Sequence, residues 1–266
     1  MFMDHDLARR LERTEGAICA SFIAARAALE PAHGACWHDF AGTYAMYDGA
    51  SSPMTQTFGL GMFEPTSPAQ LDAIEAYFGS RGAATDHEVS PFAGVEVLAL
   101  LVARGYQPIE LSTVLVQPLT AAHVAPAAGA LRVGRLAVEQ RPAWIEASVA
   151  GWAADPETAS FIRGLAKTST SNAAMTQYLV ERDGETIATG ALGIHGDVAL
   201  LAGASTIPSA RGLGAQRMLL AARLADAHAR GCTIAMMVTA PGTASQRNAE
   251  RSGFAIAYTR SKWRRA

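Results

Sequence analysis

Residues 206–231 read TIPSARGLGAQRMLLAARLADAHARG, and the rest of the chain is best read outward from this stretch. Pro208 makes a turn, Arg211 stands between small residues, and Gly212 and Gly214 bracket Leu213. Met218, Leu219, Leu224 and Ala225 then recur at helical spacing. Most helix starts need one capping side chain. Here two glycines instead let the backbone approach a ligand or adopt positive φ. The first N–H groups and the dipole of the following helix favour an anion by about 0.3–1 kcal/mol when exposed, and by up to ~2 when partly buried. Arg211 adds a forked, permanently charged donor suited to phosphate. The stretch reads as a cradle for a diphosphate, against the plainer alternative of a β–α turn with a surface arginine.

Two other phosphate-binding patterns do not fit. A P-loop needs GxxxxGK followed by Ser or Thr, and the lysine is missing. A dinucleotide fold places an acidic residue at the end of the next strand. The next strand here, Thr233 to Thr239, has no carboxylate.

The chain has 266 residues, half of them hydrophobic, enough for two ordinary domains or one large one. Twenty-two Lys and Arg against twenty-four Asp and Glu give a net charge of −2, with no electrostatic footprint for nucleic acid. The one basic run, Arg260 to Arg265, is expected to be a solvated tail, with phosphate contact as a minor option. Cys19, Cys36 and Cys232 lack CxxC spacing, which argues against disulfides and a structural zinc, so no metal is expected. The first sixteen residues lack the apolar core of a signal peptide, and no apolar run reaches the roughly 18–20 residues of a membrane span. The expectation is a reduced, cytoplasmic protein without a membrane or nucleic-acid partner.

Periodicity predicts a helix over 5–29, short strands over 35–62, and a helix opened by Ser67-Pro68 and stopped at Gly79. A strand around His87–Val89 follows, then a helix over 92–103 and a strand over 109–116. The second half begins near Leu131, with helices at 143–152 and 156–165. Strands at 177–182 and 185–194 flank the turn Asp183-Gly184. A strand over 198–206, the opening stretch, a strand over 233–239, a helix over 244–251 and a final strand complete the series. The halves rhyme: Arg81-Gly82 precedes a strand as Arg230-Gly231 does, and Gly105-Tyr106 corresponds to Gly253-Phe254. One supersecondary plan used twice is the favoured reading. The expected fold class is α/β, two tandem domains each with a central mixed sheet flanked by helices, divided as 1–125 and 126–266.

The loop resembles the acetyl-CoA loop of the GNAT N-acetyltransferase superfamily, roughly Val-x-Pro-x-x-Arg-Gly-x-Gly-x-Gly/Ala, with Gln216 in place of the last small residue. The segment Ser245 to Phe254 similarly looks like the family's helix and Gly-Phe pair after the fifth strand. The resemblance covers about residues 131–262. It implies acetyl-CoA as cosubstrate, held by Ser205, Thr206, Arg211, Gly212, Leu213, Gly214, Ala215, Gln216 and Asn248, with pantetheine along the strands at 198–206 and 233–239. It also implies direct attack by an amine on the thioester, an N–H polarising its carbonyl. In the first half the counterpart, Gly59 to Pro68, has glycines but no arginine, carries Glu64, and loses one N–H at Pro68. That half is expected to be a degenerate copy without a coenzyme site.

Many relatives carry a tyrosine four residues before the Gly-Phe glycine, where this chain has Ala249. Ser245, Asn248 and Tyr258 are the candidate substitutes, each with an equally available structural role. His195 and Asp197 are expected in a solvated turn, and His87 and Glu88 at the surface, with one of them lining an acceptor pocket as the lesser option. The leading expectation is an acetyl-CoA-dependent N-acetyltransferase acting on a small-molecule or amino-acid-like amine, as monomer or homodimer. The alternatives are a non-catalytic CoA-binding or scaffolding pseudo-acetyltransferase and a nucleotide-binding protein.

Overall fold

The structure is a computed structural model that describes residues 2–120, 130–153 and 155–265. It divides into two compact units, one built from residues 1–117 with 236–266 and the other from residues 118–235. The boundary expected after residue 125 lies outside the described residues.

The first unit contains α1 (His5–Leu29), β1 (Cys36–Phe40), β2 (Thr43–Tyr47), β3 (Gln56–Phe58), α2 (Pro68–Gly79), β4 (Asp86–Val89), α3 (Val95–Ala103) and β5 (Tyr106–Pro118). The C-terminal elements α7 (Ala244–Arg251) and β11 (Ala255–Arg265) join it, and the division between units falls inside β10 (Ile234–Thr239). Helix α1 begins where the Asp4 side chain accepts from the N–H of Leu7 at 2.8 Å, and it ends ahead of Pro31. Ser67 caps α2 in the same way, with Pro68 in its first turn. Strand order is β1-β2-β3-β4-β11-β5-β10, with β3 and β4 parallel and β11 antiparallel to both β4 and β5. Ala20 and Ile23 of α1 pack with Tyr44, Met46 and Phe58. Leu71, Ile74 and Phe78 of α2 and Val97 and Leu101 of α3 pack with Ala45, Val89, Tyr106 and Trp263. Each large apolar side chain so buried stabilises the unit by about 1.5–3 kcal/mol.

The placement of β11 corrects two expectations. The basic run is a strand bound through its charges, not a solvated tail. Arg260 is 1% exposed, with Nε 2.8 Å from Glu12 Oε1 and Nη2 2.6 Å from Glu15 Oε2. Arg264 makes a two-pronged pair with Asp86, Arg265 reaches Glu75, and Lys262 reaches Glu110. A guanidinium as deeply buried as Arg260 requires acceptors for its donors, and α1 supplies two carboxylates. His87 and Glu88 are likewise buried, because β4 lies inside the sheet between β3 and β11. His87 Nδ1 is 2.8 Å from the Thr57 hydroxyl, and burial pushes the imidazole pKa down to about 3. The Ser112 hydroxyl donates to Glu88.

The second unit contains β6 (Leu131–Arg135), α4 (Arg141–Trp152), α5 (Pro156–Ser171), β7 (Met175–Arg182), β8 (Glu185–His195), β9 (Val198–Thr206) and α6 (Ala215–Ala229). Its strands run antiparallel in the order β9-β8-β7-β6. Asp183 and Gly184 both take positive φ, 53° and 84°, as a tight two-residue hairpin requires. Trp144 of α4 donates its indole N–H to the Tyr178 carbonyl at 2.8 Å and packs with Ala166 and Leu179. Strand β9 contains a bulge: the pairing steps from Ala202–Ala191 to Ser205–Thr189, so Gly203 and Ala204 face Gly190 alone. Gly203 has φ of 60°, the left-handed geometry such bulges use.

Candidate functional site

Strand β9 ends at Thr206, and Pro208–Ala210 form one 3-10 turn before Arg211, which is extended. Gly212 and Gly214 follow with φ of 83° and 89°. Gly214 caps α6 in the left-handed conformation, with no side chain bonded to the helix start. A Cβ added at either glycine would meet nothing within 4 Å, so backbone conformation rather than crowding selects glycine, and the space before the loop is open. Met218 makes the first bond back into the turn, to Gly214 O at 3.1 Å. Among the described residues the N–H groups of Gly212 through Arg217 donate to no protein acceptor. A helix start always leaves donors open, but this loop extends the open run beyond the helix itself. Such an array with exposed glycines fits a diphosphate, whose oxygens are all acceptors.

The flanking side chains explain how the loop is held. Gln216 donates through Nε2 to Thr206 Oγ1 at 2.8 Å, so its side chain turns back to β9. Arg211 donates from Nε to Thr206 O at 3.4 Å and from Nη2 to Gly151 O at 3.2 Å, linking the loop to the end of α4. Gly151 packs so closely that a Cβ there would lie 2.6 Å from Ser205 Oγ. The Ser205 hydroxyl is buried beside Thr189 Oγ1 at 2.9 Å, and Ser148 donates to Thr189 at 3.0 Å. Ser205 is also the register partner of Thr189 in the β8–β9 ladder, so its side chain is committed inward. Leu213 is 45% exposed, while Ala215 is buried against the unit.

The structure places Ser205, Thr206 and Arg211 to Gln216 together in the second unit, and Ser245, Asn248 and Tyr258 in the first. Ser245 and Asn248 are exposed on α7, whose cap is Thr243 rather than Ser245. Tyr258 is buried against Phe92 and donates to Glu12 Oε1 at 2.7 Å. Burial first, then the neighbouring Glu12 charge, raises the pKa of its phenol well above the ordinary value. His195 is exposed at the end of β8, whereas Asp197 accepts a hydrogen bond from the Thr233 hydroxyl. Among the described residues no group of three His, Cys, Asp or Glu could hold a metal, and no helix is long and apolar enough to cross a membrane.

One residue escaped the sequence reading. Arg223 of α6 is 3% exposed and bonds three main-chain carbonyls, of Leu219, Ala191 and Ala202, at 3.1, 3.2 and 3.4 Å. Burial lowers its pKa to about 10. Its signal was positional: it lies four residues from Leu219 and four from Ala227, on the buried stripe of α6.

Comparison with known proteins bears on this site. Residues 122–242 match the family model described as an acetyltransferase (GNAT) domain, which overlaps nearly the whole second unit. A GCN5-related N-acetyltransferase from Kribbella flavida is similar in fold, with a TM-score of 0.65 at 18% identity over 92% of this chain and 95% of that one. Another from Sphaerobacter thermophilus has a TM-score of 0.56 at 15% identity, over 79% of this chain and 71% of that one. A tandem GNAT protein from the clavulanic acid biosynthesis pathway has a TM-score of 0.55 at 15% identity, over 74% and 68% of the two chains. No curated protein gives a significant match. The chain is thus a mixed α/β protein of tandem GNAT-like fold, and its residues 122–242 are identified as an acetyltransferase (GNAT) domain.

Proposed function

We propose that the protein is an acetyl-CoA-dependent N-acetyltransferase that acetylates a primary amine of a small or amino-acid-like molecule. The observation that carries this reading is the open run of N–H groups from Gly212 to Arg217 at the head of α6. Acetyl-CoA, when bound, supplies an acyl group on a thioester and a diphosphate by which it is held. In this reading the main chain of Gly212, Leu213, Gly214, Ala215 and Gln216 binds the diphosphate, and the Arg211 guanidinium supports it. The main chain of Ser205 and Thr206 at the end of β9 orients the rest of the coenzyme, and Asn248 provides a further polar contact.

A lysine-like amine with a pKa of about 10.4 is some 3 units from neutral pH, so its free base costs roughly 4 kcal/mol. A group of this chain must accept that proton, directly or through water. At the other end of the transfer, Ser245, Asn248 and Tyr258 are proposed to stand in for the missing tyrosine, donating to the departing CoA thiolate directly or through a water. Tyr258 is engaged with Glu12, which leaves Ser245 and Asn248, exposed on α7, as the preferred pair. In the same reading residues 1–125 form a degenerate partner domain, residues 126–266 carry the coenzyme, and the protein works in the cytoplasm as monomer or homodimer.

A second reading, a coenzyme-binding protein without turnover, is favoured by Ala249 where relatives carry tyrosine and by the engagement of Tyr258. Free-thiol release from acetyl-CoA across a panel of primary amines, alongside calorimetric titration, separates the two. Binding of one coenzyme per chain with amine-dependent release supports the enzyme, whereas binding without release supports the second reading. Two coenzymes per chain, or none, would remove the basis of both.

A further inference from the structure

Resting on the acyl-transfer reading, we infer that Arg223 is a positioning residue that sets the bulge of β9 and so the alignment of the main chain leading into the cradle. Its guanidinium spans the β8–β9 rung next to the bulge: Nη1 donates to both Ala191 O and Ala202 O, and these two residues are direct register partners. Beyond that rung, Gly203 and Ala204 face only Gly190. The missing side chain at Gly190 accommodates Arg223, since a Cβ there would lie 3.1 Å from its guanidinium carbon. Nε is tied to Leu219 O on the same helix, so the guanidinium joins α6 to the bulge.

The chemistry of this placement is unusual for a residue with only a packing role. Burying a guanidinium is unfavourable unless its donors are satisfied, and among the described residues no carboxylate lies within ion-pair distance of Arg223. Methionine, of similar length, would fill the stripe without that penalty. What the arginine adds is directional bonding to carbonyls on two adjacent strands. The bulge lies immediately before Ser205 and Thr206, the residues proposed to orient the coenzyme. A shift there would misplace the reacting end of a coenzyme whose diphosphate is still held at Gly212–Arg217.

The test uses Arg223→Met and Arg223→Lys in the full chain, with Gly190→Ala as an independent variant that displaces the guanidinium without removing it. In Arg223→Met, kcat is expected to fall about tenfold, equivalent to ~1.4 kcal/mol, while the Kd for acetyl-CoA stays within about threefold. Amide hydrogen exchange at Gly203 and Ala204 is expected to accelerate about tenfold. Gly190→Ala should change both quantities in the same direction, and Arg223→Lys should recover part of the loss. A lowered thermal midpoint with kcat per folded protein and exchange at Gly203 and Ala204 unchanged would overturn the inference. If the wild-type chain turns over no amine, acyl transfer fails as a reading, and the exchange measurement alone still decides whether Arg223 sets the bulge.

Discussion

The chain contains two glycine-bearing loops that lead from a strand into a helix, one in each unit, and they have been put to opposite uses. In the loop from Gly212 to Gly214, a Cβ on either glycine would point into open space. In the loop from Gly59 to Ser67 the corresponding space is filled. A Cβ on Gly59 would lie 2.8 Å from the Phe63 ring, and one on Gly61 would lie 2.6 Å from Val97. Arg13 of α1 stacks 3.6 Å from the centre of the Phe63 ring, and Arg9 donates to Met62 O at 2.8 Å. The helix that follows is closed by the Ser67 side chain and by Pro68, whereas α6 has no side-chain cap. The same backbone device is therefore an open set of donors in one unit and a packed corner in the other. Glycines alone do not make an anion site; the atoms in front of them decide.

If this contrast is right, changes in the first unit should register as stability and changes in the second as coenzyme affinity. The largest stability effect is expected from Arg260→Leu, which strands Glu12 and Glu15 in the interior and should reduce unfolding free energy by about 3–5 kcal/mol in denaturant titrations. Gly214→Val forces a β-branched residue to positive φ at the helix cap and should weaken acetyl-CoA binding by about 100-fold or more by calorimetry. Arg211→Ala removes one supporting cation and leaves the N–H groups in place, so a loss of about tenfold is expected. If the Arg260 variant loses coenzyme affinity without losing stability, or if both loop variants bind as tightly as wild type, the contrast breaks.

A smaller effect tests the buried interior of the first unit by pH. The folded pKa of His87 is lowered by burial from 6.5 to about 3, so the folded state favours the neutral ring. The stability it contributes is present above pH 6.5 and is lost as pH falls toward 3, by at most about 1.4 kcal/mol per pH unit. His87→Leu should flatten that part of the stability–pH curve, and an unchanged slope between pH 6.5 and 5 would count against neutral burial.

Much of this architecture was legible because it is encoded locally. Ser67-Pro68 announces α2, Asp183-Gly184 announces the β7–β8 hairpin, and the glycines at 212 and 214 announce the uncapped start of α6. Features that depend on distant partners were not legible. The burial of Arg260 requires Glu12, which lies 248 residues away in the chain. The burial of His87 depends on β11 completing the sheet beside β4. Alternation along a strand states which side chains share a face, but not what covers that face. Arg223 is intermediate: its helical position pointed inward, yet a charged residue on an apolar stripe is read by habit as solvated. At the site, the cradle followed from sequence, while the inward commitments of Ser205, Gln216 and Tyr258 emerged only from their hydrogen bonds.

The insertion of β11 between β4 and β5 also constrains how the molecule is made. During synthesis, residues 2–118 leave the ribosome with two strands that must be separated by a third not yet translated. The sheet of the first unit is complete only after β11 has emerged and closed a long loop, 178 residues at the Asp86–Arg264 pair, an entropically slow step. Refolding of the whole chain should therefore be rate-limited by arrival of its final strand, and nascent chains halted before it should be the species that chaperones retain.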